Sequence, residues 1–241
     1  MKLLYYLPAI GEGNMEIKRK ILFHNLKYIY DNINEPFDVC INFYTICEIT
    51  KMKLSSLHFI NNLYIYEEKG KVLTELFLVN PNNKYVSSYD YILFIMDDVV
   101  LLDVDIKKMI EIKEKYKIEM LSTKILKSTH QFMNCYSGLT INNFLEVYLL
   151  LLTPTDFYTF CSIHTIENKW MWGVDLLFGY YKIRAGVINT YVAQHAIPSK
   201  SDKREAEECM CNYLIKHTKY RNTSDICKDF SDIIENIAIE N

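Results

Sequence analysis

Tyr89-Asp90-Tyr91-Ile92-Leu93-Phe94-Ile95-Met96-Asp97-Asp98-Val99-Val100 carries the plan of the chain. An apolar run of strand character stops abruptly at two adjacent carboxylates. A buried strand that delivers paired Asp to its exit places them at the mouth of a sheet, where open α/β sheets bind ligands. Two oxygen-rich side chains there suit Mg²⁺ or Mn²⁺ carrying a diphosphate. Read alone, the pair is more simply a strand cap that opens a solvated turn.

Working outward, residues 2–7 predict a first strand, followed by a loop with Pro8, Gly11 and Gly13. Asn14 stands where a helix cap is needed. Over 15–33, Ile17, Ile21, Leu22, Leu26, Ile29 and Ile33 recur at helical spacing. Pro36 breaks the chain, and strands are predicted over 37–44 and 62–66. Gly70-Lys71 opens a predicted helix through Leu78, and Asn80-Pro81-Asn82-Asn83 is a turn. Beyond the acidic pair, a helix is expected over 105–116 and a strand over 118–122. Residues 124–137 show no clear pattern. The apolar run 144–152 leaves strand and helix both open. A helix is expected over 174–184 and a strand over 187–193, ending at Gln194-His195. Charge rises after Lys200, with helices predicted over 202–219 and 224–239. The alternation of strand and helix through residue 122 predicts an α/β layered domain with a mostly parallel sheet flanked by helices.

Composition narrows the class. The 241 residues support one large domain, or one with an appendage, and 50% hydrophobic with 24% charged residues is ordinary for a globular protein. A net charge of −3 without a basic stripe argues against nucleic acid as a partner. Seven Cys at irregular spacing read as reduced, intracellular usage. Cys209 and Cys211, two apart on a predicted helix, do not share a face and so make a poor metal pair. The apolar N-terminus is short and meets Glu12 early, so it reads as a strand and not a signal peptide. The run 147–152 is too short to span a bilayer. A soluble, cytoplasmic protein is expected.

Six pieces, in order, carry a family resemblance. They are Leu7-Pro8-Ala9-Ile10-Gly11, Lys69-Gly70-Lys71, the stretch ending in Asp97-Asp98, Asn143-Phe144-Leu145-Glu146, Trp172-Gly173-Val174-Asp175, and Val192-Ala193-Gln194-His195. Over about residues 1–200 the chain resembles glycosyltransferases of the GT-A type. More narrowly, it is similar to a glycosyltransferase family of plants, bacteria and large DNA viruses that includes a sugar-transfer domain of a chlorella virus. The resemblance implies a GT-A, Rossmann-like domain over 1–200, with 201–241 as a helical extension packed on it. In a viral setting the location implied is the host cytoplasm. One departure stands out: the family shows three acidic positions or Asp-x-Asp at the strand end, and here Met96 stands first. A missing outer carboxylate weakens nucleotide–ribose contact or metal affinity.

The implied reaction moves a sugar from a nucleotide-sugar, UDP-sugar first, to a glycan or other hydroxyl acceptor. Charge builds on the diphosphate as the glycosidic bond breaks, and a divalent cation, Mn²⁺ or Mg²⁺, neutralises it as a Lewis acid. The resemblance assigns Asp98, with Asp97, to that cation and adds His195, an imidazole better suited to Mn²⁺. It assigns the loop Leu7, Pro8, Ala9 and Gly11, with Lys71 and Asp97, to the nucleotide. Asp175 is the candidate general base of an inverting transfer. Its position also suits the first turn of a helix, where an acid favours the macrodipole. Trp170 and Trp172 offer a stacking wall or ordinary core packing, and Gly173 permits close backbone approach. Glu146, a carboxylate in an apolar run, suits acceptor contact or a salt bridge. The five other His show no ligand spacing. Two alternatives remain: a nucleotidyltransferase, although Gly11-Glu12-Gly13 lacks the basic Gly-rich loop that class uses, and a non-catalytic relative that binds nucleotide or sugar. Monomer and homodimer are both open.

Overall fold

Alternate residues of the first strand enter opposite apolar layers, which is why that strand is apolar throughout. In β1 (Leu3–Ile10), Leu3, Tyr5 and Leu7 join one cluster, while Leu4 and Tyr6 join the other. β4 (Tyr91–Ile95) repeats the pattern, with Leu93 and Ile95 on one side and Ile92 and Phe94 on the other. Strands covered on both faces lose the polar alternation of a half-exposed sheet. The computed structural model describes residues 1–11, 13–128, 136–197, 203–230 and 233–239, without the side chains of 223, 227 and 230.

The first half is wound as the sequence predicts, with one helix more, between the second and third strands. β1 is followed by α1 (Met15–Ile33), β2 (Phe37–Phe43), α2 (Glu48–Ser55), β3 (Ile60–Glu67), α3 (Leu73–Leu78), a 3₁₀ turn (Pro81–Ser88) and β4. These four strands lie parallel in the order β3-β2-β1-β4. The second half breaks that regime. β5 (Val99–Asp103), α4 (Ile106–Tyr116), β6 (Met120–Leu126), β7 (Leu139–Asn142), β8 (Leu149–Leu152), α5 (Pro154–Ser162), α6 (Leu177–Tyr180) and β9 (Ala185–His195) follow. α7 (Lys203–His217), α8 (Thr223–Phe230) and β10 (Ile233–Ile237) complete the chain. The sheet continues from β4 through β8, β6, β9 and β7 to β10, and β5 pairs with β9. Of these contacts only β6–β9 is parallel, so the whole is a mixed sheet with flanking helices, parallel in its first half.

Several local expectations change. The apolar run resolves as strand only over 149–152, because Thr153 and Pro154 start α5 there through a capping box with Asp156. The helix predicted over 174–184 shortens to a 3₁₀ turn (Val174–Leu176) and α6, and Lys182 adopts a left-handed backbone just beyond. The helix predicted over 224–239 is also corrected. After α8 the chain forms β10, antiparallel to β7, so this segment extends the sheet instead of forming only a helical appendage. Asn14 sits at the start of α1 in a left-handed conformation, which Asn tolerates, but its side chain caps nothing. Ile17 is half-exposed.

Two buried polar features tie the layers together. Lys113, 2% exposed, reaches from α4 to the Ile118 and Glu119 carbonyls and to Asp156 Oδ2, at 2.5, 2.7 and 2.7 Å. Burial pulls the Lys113 pKa down, and Asp156 opposes it. Across the sheet, Asn42 Nδ2 donates to the Pro8 and Leu76 carbonyls, and Asn80 Nδ2 donates to Asn42 Oδ1. The Asn80-Pro-Asn-Asn turn thus has a buried end that fixes the exit of β1. Around it Tyr6, Phe77, Phe94, Phe157 and Phe160 pack ring against ring.

Candidate active site

The exits of the parallel strands share one edge. Ile10 of β1 registers with Phe43 of β2, and Phe43 with Glu67 of β3. Tyr6 registers with Phe94, which brings the end of β4 beside the end of β1. The acidic pair therefore emerges at this edge, as the sequence reading requires. Met96 packs against both apolar clusters, which accounts for an apolar residue at the head of the pair.

The turn after β4 is pinned on three sides. Met96 N–H donates to the Tyr148 carbonyl at 3.0 Å. Buried Asn25 of α1 donates to the Val99 carbonyl at 2.7 Å and accepts from Leu101 N–H at 3.0 Å, fastening β5 to the helix. β5 then pairs with β9 so that Val99 faces His195, and Ala196 N–H donates to the Asp98 carbonyl at 2.7 Å. This pairing brings the two distant motifs together: His195 Nε2 lies 3.0 Å from Asp98 Oδ2. The His195 ring stacks on Tyr148 with centroids 4.7 Å apart. Burial works to lower the His195 pKa, but the Asp98 carboxylate outweighs it and the value is raised.

Asp98 and His195 fit a divalent cation. A carboxylate and an imidazole form a donor set suited to Mn²⁺. Their 3.0 Å separation is about the edge of an octahedron with metal–ligand bonds of about 2.1 Å. Asp98 Oδ1 is buried without a hydrogen-bond partner among the described residues, as an oxygen reserved for a ligand would be. Among the described residues no group of three or more His, Cys, Asp or Glu converges on a metal position.

Asp97 is engaged differently. Its Oδ2 accepts from Gly11 N–H at 2.7 Å and from Lys18 Nζ at 2.7 Å. Burial raises its pKa to about 6, Lys18 works against that, and Asp98 adds to it. An oxygen already taken by an ammonium and an amide is poorly placed to hold a cation as well, so the geometry ties Asp97 to the loop after β1. Sequence reasoning missed Lys18. The available signal was the run Lys18-Arg19-Lys20 at the start of α1, beside a loop that faces paired carboxylates.

The other expected residues fall into two groups. Leu7 is a core residue, Pro8 is held through its carbonyl by Asn42, and Ala9 is buried. Lys71 follows β3 on the same edge, partly exposed, 3.5 Å from Glu68 and 3.9 Å from Glu75. Asp175 sits in the 3₁₀ turn after Gly173, its Oδ1 accepting from Leu176 N–H at 3.1 Å. Burial, and then the charge of Glu146, raise its pKa to about 7. The Glu146 charge acts on His195 as well, so it lies within electrostatic reach of both Asp175 and His195. It also lines a small recess with Ser122, Thr123 and Lys124. Trp170 and Trp172 are partly buried, and Trp170 Nε1 has no acceptor among the described residues. Gly173, at φ 77°, turns its open side to α7, where an added Cβ would lie 2.6 Å from Met210 Cγ. The close approach at this glycine is therefore made by a helix. His164 is a buried core residue whose Nδ1 bonds the Phe160 carbonyl, and His24 binds the Leu101 carbonyl. His130 and Glu12 lie outside the described residues.

No protein-family model matches the sequence, and no curated protein does. Solved structures match in fold. S. aureus TarS 1–349 in complex with UDP aligns with a TM-score of 0.58 at 11% identity, over 96% of this chain and 76% of that one. S. aureus TarS gives 0.58 at 10% identity over 93% and 45%. GalNAc-T7 with UDP, GalNAc and Mn²⁺ gives 0.60 at 5% identity over 87% and 47%. The chain thus spans less than half the length of the TarS and GalNAc-T7 chains in these last two matches. The fold is the GT-A α/β fold with a mixed central sheet. Among the described residues no helix is long and apolar enough to cross a membrane.

Proposed function

We propose that the chain is a metal-dependent glycosyltransferase that moves a sugar from a nucleotide-sugar, a UDP-sugar first, to a hydroxyl acceptor with inversion. The observation that carries this reading is the Asp98–His195 pair, assembled at the carboxyl edge of the parallel strands with one Asp98 oxygen buried and without a hydrogen-bond partner among the described residues. The fold supports it, since two proteins that share it were crystallised with UDP.

Each residue has a task on this reading. Asp98 and His195 would hold the cation, Mn²⁺ by the chemistry of the donor set. When bound, that cation supplies Lewis-acid neutralisation of the leaving diphosphate. Asp97, locked to Gly11, keeps the nucleotide loop against the end of β4. Asp175 takes the acceptor hydroxyl proton onto its carboxylate. A carboxylate whose pKa is raised to about 7 suits that task, because a general base works best with a pKa near the working pH. Trp170 and Trp172 stack on a sugar ring, and Glu146 accepts from a sugar hydroxyl.

A second reading, a relative that binds nucleotide without turnover, draws on the two-residue metal set and on Met96. Both readings are tested by incubating the protein with a panel of UDP-sugars, Mn²⁺ and simple glycoside acceptors. Release of UDP with a product of inverted anomeric configuration by NMR supports the transferase. UDP binding without turnover across the panel favours the second reading, and a retained anomer removes Asp175 as base.

A further inference from the structure

Lys18 is a charged group at the site edge with no task in the proposed reaction. Its side chain is only 14% exposed, and its ammonium lies 2.7 Å from Asp97 Oδ2 at the edge that carries the acidic pair. The same oxygen accepts the Gly11 amide at 2.7 Å. A third observation links the two donors. A Cβ at Gly11 would lie 2.7 Å from Lys18 Nζ, although Gly11 does not have the left-handed backbone that demands glycine. A side chain at residue 11 would thus push the flexible lysine head off its seat against the loop. Lys18, Asp97 and Gly11 form one closed unit: the helix supplies the cation, the strand end supplies the anion, and the loop supplies the amide.

This unit has a consequence for charge. Two adjacent carboxylates at a partly buried strand end repel each other. Lys18 cancels one of them internally, which leaves Asp98 as the carboxylate presented to a ligand. Charge-assisted bonds of this kind are also the stronger class, and they fix geometry.

We propose that Lys18 is a positioning residue for the nucleotide. Through Asp97 it holds the Gly11 amide and sets the loop after β1 before the ligand arrives. This rests on the nucleotide-sugar reading for the identity of the ligand. The cost of binding falls when the site is ordered in advance, so loss of Lys18 appears as weaker nucleotide binding in a folded protein.

The test compares wild type with Lys18→Met, Lys18→Arg and Gly11→Ala. Gly11→Ala displaces the flexible end of Lys18 without removing a charge. Amide hydrogen exchange at residue 11 is read without ligand, and UDP is titrated with Mn²⁺ and with EDTA. Lys18→Met and Gly11→Ala are expected to speed exchange at residue 11 and to weaken UDP about tenfold, roughly the worth of one charge-assisted hydrogen bond. The ratio of affinities in Mn²⁺ and EDTA stays as in wild type, and Lys18→Arg restores both readouts in large part. Unchanged exchange at residue 11 in Lys18→Met overturns the proposal. So does a lowered Tm with unchanged UDP affinity, which marks a merely structural ion pair. Wild type that binds no nucleotide overturns the nucleotide-sugar reading itself, and any exchange effect then assigns Lys18 to loop structure alone.

Discussion

His195 Nε2 sits 3.0 Å from Asp98 Oδ2 although 97 residues separate them in the chain. The pairing of β5 with β9 produces this meeting, with Val99 opposite His195. The strand that follows the acidic pair thus lies along the strand that ends in the histidine. On the proposed reading this pair holds the cation. His195→Ala should then lower Mn²⁺-dependent turnover by about 100-fold or more, in line with removal of one preorganised charge stabiliser. Binding of UDP in EDTA should stay unchanged. Steady-state kinetics with and without metal check this.

Asp175 is expected to act in the chemical step and not in binding. Asp175→Asn should lower kcat by about 10²–10⁴-fold, the usual worth of a positioned general base, and leave UDP affinity within about twofold. In wild type, kcat should rise with pH as Asp175 loses its proton near its raised pKa of about 7. A flat profile through that range, or a large loss of UDP affinity in the variant, would remove it from the role.

The same shift makes a stability prediction. Folding raises the Asp175 pKa, so between its ordinary value and about 7 the folded state binds more protons than the unfolded chain. The favourable contribution is full below the ordinary carboxylate range and is lost as pH rises through about 7. Asp97, raised to about 6, contributes with the same sign. Asp175→Asn keeps a neutral group at all pH values. It should match wild type in urea unfolding near pH 4 and exceed it at pH 8.

Lys113 makes three bonds to buried or partly buried oxygens, and its removal leaves Asp156 without a counter-charge. Lys113→Met should cost about 3–5 kcal/mol in urea unfolding. The double variant with Asp156→Leu should recover much of that. A residue of about 1 kcal/mol should persist, because Asp156 also accepts from Thr153 N–H at the start of α5.

Gly173 is under two constraints, a φ of 77° and Met210 Cγ at 2.6 Å from an added Cβ. Gly173→Ala should cost about 1–2 kcal/mol for the backbone and a further roughly 1–3 for overpacking against α7. Gly13, where a Cβ meets nothing within 4 Å, should accept Ala with little loss. Thermal unfolding of the two variants side by side measures the difference.

Periodicity made the first half of the chain legible. Strands buried on both faces give unbroken apolar runs, and α1 shows its buried stripe at Ile21, Leu22, Leu26, Ile29 and Ile33. Only α2 was missed: eight residues with Ile49 and Met52 exposed leave a weak pattern. The second half was harder because most of its strands are short and pair antiparallel across long separations. β10 is the clear case. Ile233–Ile237 gains its structure from β7 and not from its own spacing, which suited a helix equally well. In the site, the acidic pair and His195 stood out in the sequence as residue types at strand ends. Lys18 and Asn25 did not, since a Lys and an Asn on a surface helix look solvated until the neighbouring strand end is in place.

The most direct test of the central claim is calorimetric titration of UDP into wild type and Asp98→Ala, each with Mn²⁺ and with EDTA. Micromolar binding to wild type in Mn²⁺, much weaker binding in EDTA, and loss of the metal effect in Asp98→Ala are expected. Equal UDP affinity in all four titrations would contradict the assignment of Asp98 to a metal site. Silence of wild type toward UDP and GDP alike would contradict the nucleotide-sugar reading.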